Sequence, residues 1–256
     1  MVAKPNKPHG TGIIAQPALY SPFVYRFTPG QVKRRSRRAD LSFENILTPI
    51  LLYSPCLLFS LCVHEAAHGA GANWCGDPSA KMLGRVTLNP LPHIDPIGTV
   101  VMPLAMLLMP GAGFLVGWAK PVPFNPRNLR NPRRDPVLIA LAGPGSNLLT
   151  ALVAAIGLRV LVLSAWMVGS VTGAMSTFAV ILVALITVNI ALMLFNLIPL
   201  PPLDGHHVLE YFLPYSARRY MDAVAPYSIF IIILLGPMLL RTPMGILMSL
   251  LLGPLQ

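Results

Sequence analysis

Charge is scarce in this sequence. Asp and Glu number 9, Lys and Arg 19, and charged residues reach only 11% of a 256-residue chain that is 54% apolar. So little charge beside so much apolar surface excludes an ordinary soluble domain and describes an integral membrane protein. Cysteine is nearly missing too. Cys56, Cys62 and Cys75 are odd in number and have no CxxC spacing, which excludes a disulfide framework and a thiolate zinc knuckle and leaves buried, inert thiols. Internal repeats and the matched halves of a transporter are absent. The basic excess is clustered at residues 33–38, at Lys120, Arg127, Arg130, Arg133 and Arg134, and at Arg218 and Arg219. Beside hydrophobic runs such clusters read as topology signals and contacts to anionic lipid headgroups, not as a nucleic-acid footprint.

What the chain does have is long apolar runs, at Ile46–Val63, Ile97–Trp118, Val137–Gly157, Ser176–Leu200 and Ser228–Leu252. Most approach the roughly 20 residues a helix needs to cross a bilayer. The expected fold is an all-α, polytopic bundle of four to six membrane segments over residues 45–256, preceded by a basic, poorly ordered tail, 1–44. The first run starts too far into the chain for a cleavable signal peptide and holds unusual residues at its end. Pro103 and the PGAG at 110–113 interrupt the second run, which predicts a re-entrant or broken hairpin. Between these runs, GRVTL at 84–88 is β-prone, and GWAKPVPFNPRNLRNPRRD at 117–135 reads as an extended basic loop.

The unusual residues are His64, Glu65 and His68, in LCVHEAAHGAG. Each ionisable group at bilayer depth costs on the order of 2.5–3.5 kcal/mol even on the lenient insertion scale, so something must offset it. In a helix the two histidines, four residues apart, face one way and reach one metal ion. Glu65, offset by one position, is placed to take a proton from water without ligating the metal. A catalytic zinc takes three protein ligands and keeps an open position. The third ligand is to come from Asp204, His206, His207, Asp95 or His93, and FNLIPLPPLDGHH at 195–207 is the best-placed segment. Its prolines forbid a helix, and Leu203–Asp204–Gly205 forms a turn able to push a carboxylate inward.

HEAAH, LDG preceded by NLIPLPP, and AGPGSN at 142–147 together resemble the site-2 protease family of intramembrane zinc metalloproteases, over about residues 45 to 215. GRVTLNPLPHIDPIGT and the basic loop are similar to its compact branch, without PDZ or CBS domains. The resemblance implies that His64, His68 and Asp204 bind Zn2+, that Glu65 is the general base, and that Asn196 helps hold substrate or the oxyanion. Gly143, Pro144 and Asn147 match a third motif, with substrate contact or helix packing as their role. The implied activity is hydrolysis of peptide bonds in or near the transmembrane helices of single-span membrane proteins, in regulated intramembrane proteolysis. The implied setting is a multi-pass protein of a prokaryotic cell membrane. Positive charge at the site-bearing end, Lys81, Arg85 and the 120–134 cluster, puts that end near the cytoplasm and leaves the tail opposite, against the same rule. The alternatives are a metal or proton transporter, a non-catalytic membrane-protein-binding relative, and a protease that trims prenylated proteins. The LDG element argues against the last, and the concentration of ionisable residues at two span ends argues against the first.

Overall fold

The computed structural model describes residues 43–101, 105, 119–170 and 172–253, all within one compact unit, Leu41–Gln256. Of the tail expected at 1–44, residues 1–42 lie outside the described residues and the last two open the first helix, and most of the interrupted run 97–118 also lies outside.

Four long helices carry the fold. Helix α1 is Phe43–Trp74 and leads into the single-turn α2, Ser79–Met82. Helix α3, Asp135–Val168, begins with Pro136 in its first turn, where a missing N–H costs nothing, and ends at Gly169, whose φ of 68° closes the helix in the left-handed region. Helix α4 is Gly173–Asn196, capped by the Thr172 hydroxyl, which accepts from the Met175 N–H. After the short α5, Gly205–Phe212, and α6, Tyr215–Val224, the chain ends in α7, Ser228–Leu252. Among the described residues, three stretches are long and apolar enough to cross a membrane: α3, α4 and Ala225–Leu252, which holds α7. At about 1.5 Å per residue even the 24 residues of α4 exceed the roughly 30 Å of a hydrocarbon core. The protein is a multi-pass membrane protein, all-helical among the described residues.

Size, more than hydrophobicity, sorts the residues of α3. Ala140, Gly143, Ala151, Ala154 and Ala155 face inward, while Leu149, Val153, Ile156, Val160 and Leu163 face outward. Lipid tails are as apolar as leucine, so burial of large apolar side chains gains little there, and small residues win the interface because they let helices approach closely. Ala151, Ala154, Ala155 and Leu158 thus meet Ile186, Ile190 and Met193 of α4, and Cys56 of α1 packs with Ala184 and Val188. All three cysteines are free and buried, as the sequence implies.

One sequence expectation comes out differently, and the broken hairpin expected around Pro103 and 110–113 lies outside the described residues. Residues 84–88 form a turn followed by bends at 86–88, and no strand occurs among the described residues. The backbone groups that a strand would pair are used singly: the Thr87 carbonyl accepts from the His93 ring at 2.9 Å, and the Arg85 N–H donates to the Ala80 carbonyl at 2.9 Å. Of the interrupted run, Pro96–Val101 is one π-helical turn, capped by Asp95, whose carboxylate accepts from the Ile97 and Gly98 N–H groups.

Candidate metal centre and active site

Helix α1 delivers the first two residues of the site. His64 and His68 lie one turn apart, and their Nε2 atoms are 3.0 Å from each other. Asp204 reaches the same point from the loop after α4: its Oδ2 is 3.3 Å from each Nε2. Three ligand atoms, each about 2.0–2.2 Å from one tetrahedral ion, stand about 3.3–3.6 Å apart, so this spacing is close to that of a zinc cradle. Of the five candidates for the third ligand, Asp204 alone joins the two histidines. His93 is spent on Thr87 and Asp95 on a helix turn. His206 donates from Nδ1 to the Leu203 carbonyl at 2.5 Å and groups with His207 and Glu210 beside the site.

Hydrogen bonds behind the rings show what the cradle is built for. His68 donates its Nδ1–H to the Ile139 carbonyl at 2.7 Å, and His64 Nδ1 lies 2.6 Å from the Asn147 amide oxygen. With the proton on Nδ1 in both rings, both Nε2 lone pairs point at each other and at a carboxylate. Asp204 Oδ2 is buried with no hydrogen-bond donor among the described residues. Three electron-rich atoms facing one point, one of them an orphaned buried oxygen, repel one another unless a cation lies between them. The donor set of two imidazoles and a carboxylate suits Zn2+.

Two glycines make the convergence possible. A Cβ on Gly143 of α3 would collide with His68 Nε2 and stand 2.6 Å from His64 Cε1. Pro144 beside it has no N–H to offer the Ala140 carbonyl, which loosens α3 at the turn that meets the histidines. Gly205 performs the same service for the carboxylate, because a Cβ there would strike the Leu197 carbonyl and stand 2.6 Å from that of Ile198. The loop 197–204 folds back on itself through Leu203 N–H to the Leu200 carbonyl, 2.9 Å, and packs Ile198 and Leu203 on Ile232 of α7.

The cradle opens into a cavity of about 480 Å³ lined by Glu65, Val122, Asn196, Pro202 and Ile233 among others. Glu65 accepts from the Val122 N–H at 3.2 Å, which aims its carboxylate across the cavity. Asn196 lines the wall, its amide nitrogen bonded to the Leu192 carbonyl at 3.0 Å. Asn147, the other candidate for substrate or oxyanion contact, is fully buried with both ends of its amide engaged inside the bundle, so it addresses His64 instead.

Asp77, which sequence reasoning passed over, holds the loop that carries Val122. It is fully buried and accepts from the Ser79 hydroxyl, the Asn128 amide and the Asn125 N–H at 2.6, 2.8 and 2.6 Å. Burial pushes its carboxyl up, but these bonds outweigh burial and hold it below the usual carboxylate range. The available signal was the GDPS turn at 76–79, where an Asp before Pro-Ser is suited to bonding the backbone two residues on.

A multi-pass membrane protein with a His–His–Asp cradle and a glutamate on the same cavity defines the class: a membrane metalloprotease. The chain belongs to peptidase family M50, the site-2 protease family, whose profile matches residues 53–237. Among curated proteins it is 40% identical to YwhC of Bacillus subtilis over 203 residues, covering 78% of this chain and 83% of that protein. It is 29% identical to Rip2 of Mycolicibacterium smegmatis over 72% of this chain and 66% of that one, and 30% identical to Rip2 of Mycobacterium tuberculosis over 70% and 62%. All three are named as zinc metalloproteases. No solved structure matches the chain. Zinc is accordingly the cofactor, and His64, His68 and Asp204 are the candidate site for it.

Proposed function

We propose that this protein is an intramembrane zinc metalloendopeptidase that cuts single-span membrane proteins within or beside their transmembrane helix, as a step of regulated intramembrane proteolysis in a prokaryotic cell membrane. One observation carries the reading: the Nε2 atoms of His64 and His68 and Oδ2 of Asp204 converge within 3.3 Å at the wall of a cavity that Glu65 also lines. The peptide bonds of a helix are shielded by its own hydrogen bonds, so the substrate helix unwinds locally before it is cut, with its freed backbone groups satisfied inside the protein at a largely apolar cavity of about 480 Å³.

His64, His68 and Asp204 hold the ion. When bound, zinc supplies Lewis-acid chemistry, polarising the scissile carbonyl and lowering the pKa of water at the site. Glu65 accepts the proton from the attacking water and later delivers it to the leaving amine, with the Val122 N–H keeping its carboxylate aimed into the cavity. Asn196, on the same wall, holds the substrate backbone or the developing oxyanion. The basic loop residues Lys120, Arg127, Arg130 and Arg133 belong to the site-bearing end, which supports an active site near the cytoplasm and contact with anionic headgroups.

Glu65→Gln tests the reading, because it keeps the shape of the side chain and removes the base. The purified variant should retain zinc and cut a single-span substrate about 10²–10⁴-fold more slowly than the parent. Equal cleavage by both would sink the proposed catalysis.

A further inference from the structure

His68 and His64 present the same nitrogen to the metal, yet they are held by different devices. The His68 partner is the Ile139 carbonyl, which can only accept, so its Nδ1 must carry the proton. The His64 partner is the amide of Asn147, which accepts from one end and donates from the other. Turned over, Asn147 would present its –NH2 to Nδ1, and the His64 proton would move to Nε2, where the metal needs a lone pair. Something must decide which way Asn147 faces.

We propose that Asn189 of α4 is a positioning residue that, through Asn147, locks His64 in the tautomer whose Nε2 lone pair faces the metal; the inference rests on the zinc reading above. The direction of every bond in the chain follows from its far end. The Cys56 carbonyl accepts from the Ser60 hydroxyl at 2.7 Å, which leaves the Ser60 oxygen as acceptor for Asn189 Nδ2 at 2.8 Å. The same Nδ2 also donates to the Leu185 carbonyl, again at 2.8 Å. Two acceptors on one end fix that end as the nitrogen, so Oδ1 faces the other way and accepts from Asn147 Nδ2 at 2.9 Å. The Asn147 oxygen is then left for His64 Nδ1–H. Ser60, Asn147 and Asn189 are each 0% exposed, so no water is at hand to substitute for any member. A polar chain fully satisfied in this way is rigid, and one broken link leaves a buried group unpaired. Two backbone carbonyls, on α1 and α4, thereby set the protonation pattern of a metal ligand through a side chain on α3.

The test begins with the parent protein, stripped of metal at alkaline pH and carrying ¹⁵N-labelled histidine, with His64 assigned by its loss in His64→Ala. The nitrogen shifts should place the His64 proton on Nδ1. A proton on Nε2, or an even mixture, overturns the proposal without any Asn189 variant having to fold. Zinc affinity by chelator competition then follows in Asn189→Leu, where loss of the anchor should weaken binding about 10–100-fold. In an Asn147→Leu background no amide faces His64, so the link from Asn189 to the ring is already broken. There, adding Asn189→Leu should change affinity no more than about twofold. An equal loss in both backgrounds would reduce Asn189 to a packing role and overturn the proposal. Failure of the parent to bind zinc would sink the zinc reading, and the metal-free nitrogen shifts would still decide the relay.

Discussion

The two sides of the metal cradle are built on different plans. The histidine side belongs to the packed bundle: both rings are braced from behind, one directly by a backbone carbonyl and one through a buried amide chain. The carboxylate side belongs to a proline-rich loop that is held by its own turn bonds and by Gly205 pressed on two carbonyls, and Asp204 keeps Oδ2 unspent. The difference matches two demands of a catalytic metal. Ligand direction has to be preorganised, which favours rigid helices, and one side has to stay open to water and peptide, which favours a loop facing a cavity.

The comparison can be broken from either side. The largest effect belongs to Asp204→Ala, which removes the only ligand the loop supplies. Metal analysis of the purified protein should find most zinc gone and proteolysis at background, whereas His206→Ala or His207→Ala should keep most of the zinc. Zinc lost from His206→Ala but kept in Asp204→Ala would mean that the loop delivers a different ligand. Next comes Gly143→Ala, a change of one methyl on the rigid side. Because α3 cannot retreat without disturbing its alanine interface, both imidazoles must shift, and zinc affinity should fall at least about 10-fold with helical content unchanged. Unaltered affinity would show that the histidine side yields as readily as the loop side.

The smallest effect concerns the outer loop. The Asp77 carboxyl is depressed in the folded state, so its stabilisation is fully present above the unfolded value of about 3.9 and is lost as pH falls through the lower folded value. Asp77→Asn should therefore lower Tm at neutral pH, where an amide cannot accept all the bonds the carboxylate takes, and flatten the loss of stability below about pH 4. Thermal melts in detergent across that range measure both. A variant with the parent's acid slope would remove Asp77 from the account of how Val122 reaches Glu65.

How much of this was legible depends on how far each interaction reaches along the chain. His64 and His68 were readable because helical spacing alone puts them on one face, and Asp204 because a triple proline before LDG forces a turn at the end of an apolar run. The β-prone GRVTL misled because strand propensity needs a partner strand, and here the segment's backbone is met by the His93 ring at Thr87 and by the Ala80 carbonyl at the Arg85 N–H. Asn189 gave no signal, since an amide inside an apolar run looks the same whether it is packed, lipid-facing or wired through Asn147 to a ligand on α1.

By itself, then, the order of residues determined the membrane class, three long apolar helices and the residues that converge as the candidate metal site, because hydropathy, period and turn chemistry act over a few residues. Only the tertiary structure decided that Asn147 bonds His64, that Gly143 lies against the two rings, and that Ser60 and Asn189, 129 positions apart, share one hydrogen bond. Those facts depend on which faces of α1, α3 and α4 touch, and that is settled by the fit of small side chains between helices, which no local pattern encodes.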